Sequence, residues 1–365
     1  MTLHLPPAEL HRLVRAVFVR CGLSDAAAEA AAEVVCYADR HGFATHGVNQ
    51  LVNNYAPGLR DGRIPAAAAP EVVGGLGGVA VVDGHAGLGL VTMTFAVDKA
   101  AELARSHGVG AVAVRNSGHF GAAGYYSHRL ATQGMVGIAM TNCGAQGVVP
   151  PLGGAVRMLG TNPLSAAVPA GPVAPLVLDM STTVVATGRV KAALRDGEDV
   201  PPGWLVSRAE GTAVTDPAAY VEETADVQWL GGSLATGGAK GFGLGLLVDL
   251  LCGPVAGAAF GPRREVLDGG PPADDSDIGH FVIALDTNAF GDGATIEARA
   301  GELLGTVAAC PPAGYTSAVT YPGAPEAARA AAAEVDGVPL NKPVAAAFAE
   351  LLDSLGIETP EGMRP

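Results

Sequence analysis

Lysine is almost missing from this chain: Lys99, Lys191, Lys240 and Lys342 are the only four in 365 residues. Alanine, glycine and arginine are abundant, so the scarcity reads as genomic base composition, yet each lysine that remains draws notice. Cysteine is also sparse. Cys21, Cys36, Cys143, Cys252 and Cys310 are odd in number and show no CxxC spacing, which argues against a disulfide framework or a zinc cage and for reduced thiols in a cytosol. Positive charge is short overall. The formal charge is −14 and no Lys/Arg cluster occurs, so a phosphate-backbone partner is not expected. No long apolar run is unbroken: Gly241 to Phe260 is interrupted by glycines, Asp249 and Pro254, which predicts buried core elements and no membrane span. The amino terminus, MTLHLPPAEL, lacks a basic region followed by an apolar one, so no signal peptide is read. A soluble cytoplasmic protein is the expectation. With 49% apolar and 16% charged residues, the chain has material for a large core and two domains.

A dinucleotide fingerprint is missing too. GLGGVA at Gly75 and GVGAVA at Gly108 match G-x-G-x-x-A, but each leads into a β-type run, whereas the motif must follow a strand and open a helix. No G-x-x-x-x-G-K-[ST] occurs. An ordinary Rossmann domain and a P-loop are therefore not expected.

What is present centres on residues 109–142. Val109 to Val114 is a β-type run, Asn116-Ser117-Gly118 a turn, and Met135 to Met140 a second β-type run after a helix-like segment. This predicts a strand–helix–strand unit with Asn116 and His119 at the carboxyl end of a buried strand, where α/β folds place ligands. Upstream, Leu10, Leu13, Val14, Val17, Phe18 and Cys21 share a helical face closed by Gly22. Ser24 is a plausible N-cap for a second helix through Tyr37. Thr45 is placed as the cap of a third helix, leaving His46 in a first turn whose free N–H groups favour an anion. Residues 66–80 read as a connector, Val79 to Val82 as a strand, and His85 as a turn histidine. His280 to Phe290 reads as a strand with Asp286 near its end, and the segments EAARAAAAEVDG and NKPVAAAFAELLDSLGI as helices.

These motifs, taken in order, resemble the malate/L-lactate dehydrogenase family whose fold is not a Rossmann fold, and which also contains sulfolactate, ureidoglycolate and diketogulonate oxidoreductases and cyclic imino acid reductases. NSGHFGAAGYYSHRLATQGMVGIAMTN is similar to one of its segments, and Asp39, Gly42, His46, Gly47, Tyr55 and Gly62 fit another. So do Gly160-Thr161-Asn162-Pro163, Asp179-Met180-Ser181, Pro202-Gly203-Trp204 and Gly238-Ala239-Lys240-Gly241. Departures are Thr45 for Ser, Arg189 for a more usual Lys, Gln50 for an Arg, and an altered segment after Pro322-Gly323. The likeness is weakest at 261–279 and beyond 320.

The resemblance implies an α/β fold: a non-Rossmann mixed-sheet cofactor domain (76–304) plus a helical domain built from both chain ends (1–75 with 305–365), in a homodimer. It implies NAD or NADP as cofactor, the sequence leaving the choice open. His119, Phe120, Gly121, Ala122, Ala123, Thr161, Asn162, Asp179, Met180, Ser181, Arg189, Lys240 and Gly241 would contact that cofactor. Thr45, Gln50 and Asn116 would contact a small-molecule substrate. The reaction implied moves hydride to or from a small 2-oxo or 2-hydroxy acid, with His46 as proton donor and His119 holding substrate and nicotinamide. Gln50 in place of a cation raises the alternative of a C=N bond, as in a cyclic imine, or of an unusual carbonyl. Two readings of other classes stay open: a ligand-binding protein without turnover, and a hydrolase built on Cys143 with His119 or His128. A metal site is not expected, because His41 and His46 do not share a helical face and no cluster completes a set.

Overall fold

The computed structural model describes residues 3–261, 263–268, 277–360 and 362–363. The main sheet has seven strands: β1 (Glu71–Leu76), β2 (Val79–Asp83), β3 (Val109–Ser117), β4 (Met135–Thr141), β5 (Leu164–Val168), β6 (Leu176–Met180) and β7 (Ile278–Asp286), in spatial order β1-β2-β3-β7-β4-β5-β6. Only β2 and β3 run parallel; every other neighbouring pair is antiparallel. The expected strand–helix–strand unit forms, but its two strands never touch. β7 lies between them, with Val282 opposite Val112 on one side and Ala139 on the other.

Helices α1 (Pro7–Arg20), α2 (Asp25–Arg40), α3 (Gly89–His107) and α4 (Ala123–Ala131) cover one region of this sheet. Helix α1 buries Leu10, Leu13, Val14, Val17 and Phe18, the predicted stripe. Ser24 caps α2 by accepting the Ala27 N–H. Helix α3 lies so close on β3 that a Cβ at Gly110 would sit 2.0 Å from the Ala100 carbonyl oxygen. Only glycine fits that crossing. Further on come α5 (Thr187–Asp196), α6 (Gly238–Leu250), α7 (Gly293–Ala308), α8 (Ala324–Asp336) and α9 (Lys342–Ser354). Phe348 and Leu352 of α9 join the same core as α1, α2 and α3, and Leu3–Leu5 pairs with Val338–Leu340 in a two-stranded ribbon. The chain ends are thereby tied together.

Helix α5 sits on a smaller core of Val185, Val190, Leu205, Tyr220 and Val227 beside three short strands. There the buried Asp226 receives Arg157 Nε and Arg208 Nε at 2.6 Å each. Both oxygens of that carboxylate are thereby hydrogen-bonded, as a buried polar group needs.

Three expectations are corrected. The 66–80 connector contains β1, whose Gly75 (φ +138°) lets the hairpin close against Ala80. The passage from Gly241 is only partly core: α6 and the π-helical turn Leu251–Val255 bury Gly241, Gly245, Val248, Asp249 and Cys252, while Leu247 and Val255 stay 51% and 60% exposed. By length and composition alone, Gly238–Val255 is long and apolar enough to cross a membrane; glycine spacing and the inward Asp249 fit a helix packed on protein along one face. The strand before Phe290 ends at Asp286, whose carboxylate accepts the Asn288 N–H at 2.9 Å and so makes the turn. Part of the divergent 261–279 segment, residues 262 and 269–276, lies outside the described residues.

Candidate active site

The turn carrying His46 is held from beneath. Asp39, in the last turn of α2, accepts the Val48 N–H at 2.7 Å and is 4% exposed. The short helix Val48–Gln50 therefore starts at Gly47, and the expected Thr45 cap is corrected: an internal carboxylate already occupies the terminus that was read as an anion site. Burial pushes the Asp39 carboxyl up to about 7, against the lowering pull of the Val48 N–H. Freed from capping, the Thr45 hydroxyl lies 3.0 Å from His46 Nδ1. A π-helical turn, Leu51–Tyr55, follows and brings the Tyr55 hydroxyl 2.7 Å from His119 Nδ1.

His119 follows the end of β3. The backbone N–H of Gly121 also points to its Nδ1, at 3.4 Å. A backbone N–H can only donate, so Nδ1 is the acceptor, Tyr55 donates to it, and the ring hydrogen sits on Nε2. Burial, with His46 adding to it, pushes His119 down to about 3, so its ring is neutral in ordinary buffers. The His46 ring faces it at 5.8 Å between centroids and 17° between planes, and burial lowers His46 as well. Behind them Phe120 stacks on His280 at 4.9 Å, and His280 is fastened between the hydroxyls of Thr141 (2.7 Å) and Ser117 (2.9 Å).

The two imidazoles open into a cleft of ≈ 650 Å³. Thr45, His46, Gln50, His119, Phe120, Gly121 and Thr161, all named from sequence, line it. Gln50 donates one Nε2 hydrogen to the Thr45 carbonyl oxygen at 3.2 Å, which leaves its second N–H and its Oε1 for a ligand. The remaining named residues lie outside these walls. Asn116 (φ +51°) donates from Nδ2 to Asp83 at 3.0 Å. Ala122 and Ala123 are buried at the start of α4, where the Gly124 N–H is taken by Asp179 at 2.7 Å, so that terminus holds a carboxylate of the chain itself. Burial lifts Asp179 to about 6. Asn162 is fully buried behind Thr161 and donates to the Gly245 carbonyl oxygen, while its Oδ1 has no partner. Met180 and Ser181 are half-buried, Ser181 bonding to the Thr183 carbonyl. Arg189 lies over the Trp204 ring at 5.0 Å, Lys240 is exposed at the start of α6, and Gly241 packs against Leu230.

Of the other lining residues, sequence reasoning named only Cys143, as a hydrolase nucleophile. Asn142, Cys143, Gln146, Lys191 and Arg195 all line the cleft. The one available signal was the rarity of lysine. Burial raises the Cys143 thiol, the reverse of what a cysteine nucleophile needs. Among the described residues no group of three or more His, Cys, Asp or Glu side chains could hold a metal ion.

A small ligand pocket of this size commonly mixes apolar walls with a few placed polar groups. Here the Gln146 amide and the Thr161 hydroxyl are polar groups that could hold the nicotinamide end of a dinucleotide, whereas Asn142 and Thr141 are engaged with Ala259, Gly279 and His280. Two imidazoles facing one another in such a cleft, on a mixed sheet with a single parallel crossover, are groups suited to acid–base chemistry.

Comparison with known proteins narrows that class. Residues 5–349 match the family model described as malate/L-lactate dehydrogenase. The chain is 35% identical over 285 residues (78% of this chain, 81% of the relative) to a (2R)-3-sulfolactate dehydrogenase (NADP(+)) of Chromohalobacter salexigens. It superposes on a malate dehydrogenase of Entamoeba histolytica with a TM-score of 0.90 at 27% identity, covering 99% and 100% of the two chains. For the delta1-piperideine-2-carboxylate reductase of Pseudomonas syringae pvar. tomato the values are 0.80 and 27%, covering 96% and 100%. The chain belongs to the malate/L-lactate dehydrogenase family and is an NAD(P)-dependent dehydrogenase or reductase.

Proposed function

We propose that this enzyme reduces and re-oxidises a small 2-oxo/2-hydroxy acid, with His46 as the proton-transferring group. The observation that carries the reading is the locked tautomer of His119. With Nδ1 receiving two donors, His119 can offer only an Nε2–H hydrogen bond and cannot readily take a second proton. His46 has no such lock, having a rotatable hydroxyl at Nδ1. In reduction the imidazolium form of His46, protonated from solvent, gives its proton to the substrate oxygen and returns to neutral while His119 donates a hydrogen bond to the same atom; in oxidation neutral His46 receives the proton. When bound, the nicotinamide supplies or accepts the hydride. Phe120 and Thr161 border the space where the reacting groups meet and restrict water there.

A second reading, reduction of a C=N bond, is favoured by Gln50, a neutral amide engaged with the Thr45 carbonyl where a substrate-facing cation would suit an acid. The test is absorbance of the reduced nicotinamide during incubation with 2-oxo acids, including dicarboxylic and sulfonated ones, and with cyclic imines. Consumption is expected with one class. If calorimetry detects dinucleotide binding but no compound consumes it, the chain is a ligand-binding protein on this fold.

The enzyme is further proposed to be a cytoplasmic homodimer. The free thiols and the uncovered apolar face of Leu247, Leu250 and Val255 support this. Sedimentation at micromolar concentration should give twice the chain mass; a monomer would remove the claim.

A further inference from the structure

An acid held in this cleft needs a cation, and the described walls offer few. His46 and His119 are neutral at ordinary pH for the reasons given above. Gln50 carries no charge. Arg195 is paired with the Asp196 carboxylate, at 2.9 Å from Nε and 3.3 Å from Nη2. Lys191 remains. It stands on α5 between Thr187 and Arg195, whose spacing of four residues puts all three on one face, and that face lines the same cleft as Gln50. Among the described residues it has no ion pair.

The first turn of α5 packs beside the acid–base turn. A Cβ built at Gly188 would lie 3.9 Å from Thr45 Cγ2, so the first turn of α5 abuts the residue next to His46. Lys191 is three residues on, about one helical turn further along the cleft. Its four-carbon stem gives the ammonium reach back toward the imidazoles.

We propose that Lys191 is the anion-binding, specificity-determining residue of this enzyme: it holds the acid group of the substrate, a carboxylate or sulfonate, from the α5 wall in place of a cation at position 50. This rests on the oxidoreductase reading given above and adds to it the residue that holds the substrate's acid group. The cofactor phosphates are the competing anion. They are less suited to this place because α5 meets the enzyme at the Thr45–His46 turn, where the reacting carbon must lie.

The experiment uses oxalate, an unreactive mimic of a 2-oxo acid, titrated into the full-length enzyme by calorimetry with and without bound dinucleotide. Lys191→Met should weaken oxalate about 10- to 100-fold, as expected for loss of a charge-assisted hydrogen bond. Its dinucleotide affinity should stay within about twofold of the parent. Lys191→Arg should keep most of the oxalate affinity, and Gln50→Arg added to Lys191→Met should restore it from the other wall. Lys191 is exposed, so an unchanged melting temperature shows that the variants fold. Oxalate affinity that is unchanged in Lys191→Met, or absent from the parent, overturns the assignment. A matching loss of dinucleotide affinity overturns it in favour of a phosphate contact. Failure of the parent to bind either dinucleotide sinks the oxidoreductase reading, whereas the oxalate titration still judges Lys191.

Discussion

His46→Asn should lower kcat by about 10²- to 10⁴-fold, the range typical of a lost general acid–base group, with dinucleotide affinity unchanged. His119→Asn should cost less in kcat, about tenfold, and more in KM, because what it removes is an oriented hydrogen bond. The pH dependence separates the two further. Burial lowers His46 below its ordinary value, so kcat/KM for reduction falls as pH rises through that lowered pKa, and the oxidation rate rises over the same window. His119, at about 3, titrates too low to produce this limb. The limb should vanish in His46→Asn and survive in His119→Asn. Stopped-flow traces of the hydride step across pH 4–8 would show the reverse pattern if the roles are exchanged.

The second large effect is expected at a residue that touches no ligand. Gly47→Ala would place a Cβ 2.2 Å from the carboxylate atoms of Asp39, a contact no structure tolerates. Either the turn or Asp39 must move, and the Val48 N–H then loses its acceptor. A cost of about 2–4 kcal/mol follows from overpacking plus an unpaired buried donor. Activity should fall about 10²-fold, because displacing His46 by about 1 Å is enough for that. Chemical denaturation and kcat measured on the same preparation would check both. Asp39→Asn makes the companion. The folded pKa of about 7 stands above the unfolded value of about 3.9, so between these values the native state holds a proton that the unfolded chain lacks, and stability declines as pH rises through that window. Asparagine keeps an acceptor for Val48 without a charge. Its urea midpoint should therefore drop less than that of the parent from pH 5 to pH 8, with the difference concentrated above pH 6, where Asp179 has already titrated.

These two turns show what can and cannot be read from the residues alone. Local chemistry was legible: the α1 stripe, Ser24 as cap, Gly108 (φ +80°) as the stop of α3, and β3 leading into His119 are all decided within a few residues of themselves. So was the pairing of His46 with His119, through the resemblance of two separated motifs. Distant partners were not legible. Thr45 carries the cap signature, yet Asp39, nine positions from Val48, takes the N–H because α2 ends directly beneath the turn. Nothing near Asn116 announces Asp83, and nothing near Lys191 announces that the first turn of α5 packs beside Thr45. Asp179 and Arg189 carry family-like motifs but stand outside the cleft walls, and the groups they meet, Gly124 and Trp204, come from other segments.

The position of β7 bears on how the protein is born. As a ribosome releases the chain, β3 and β4 emerge more than a hundred residues before the strand that must lie between them, and until Asp286 is out each keeps an open edge where β7 will bond. Such late, long-range closure makes folding slow and exposes ribbon-forming edges meanwhile. A nascent chain halted before residue 278 would hold both histidines and still have no joined sheet on which to set them.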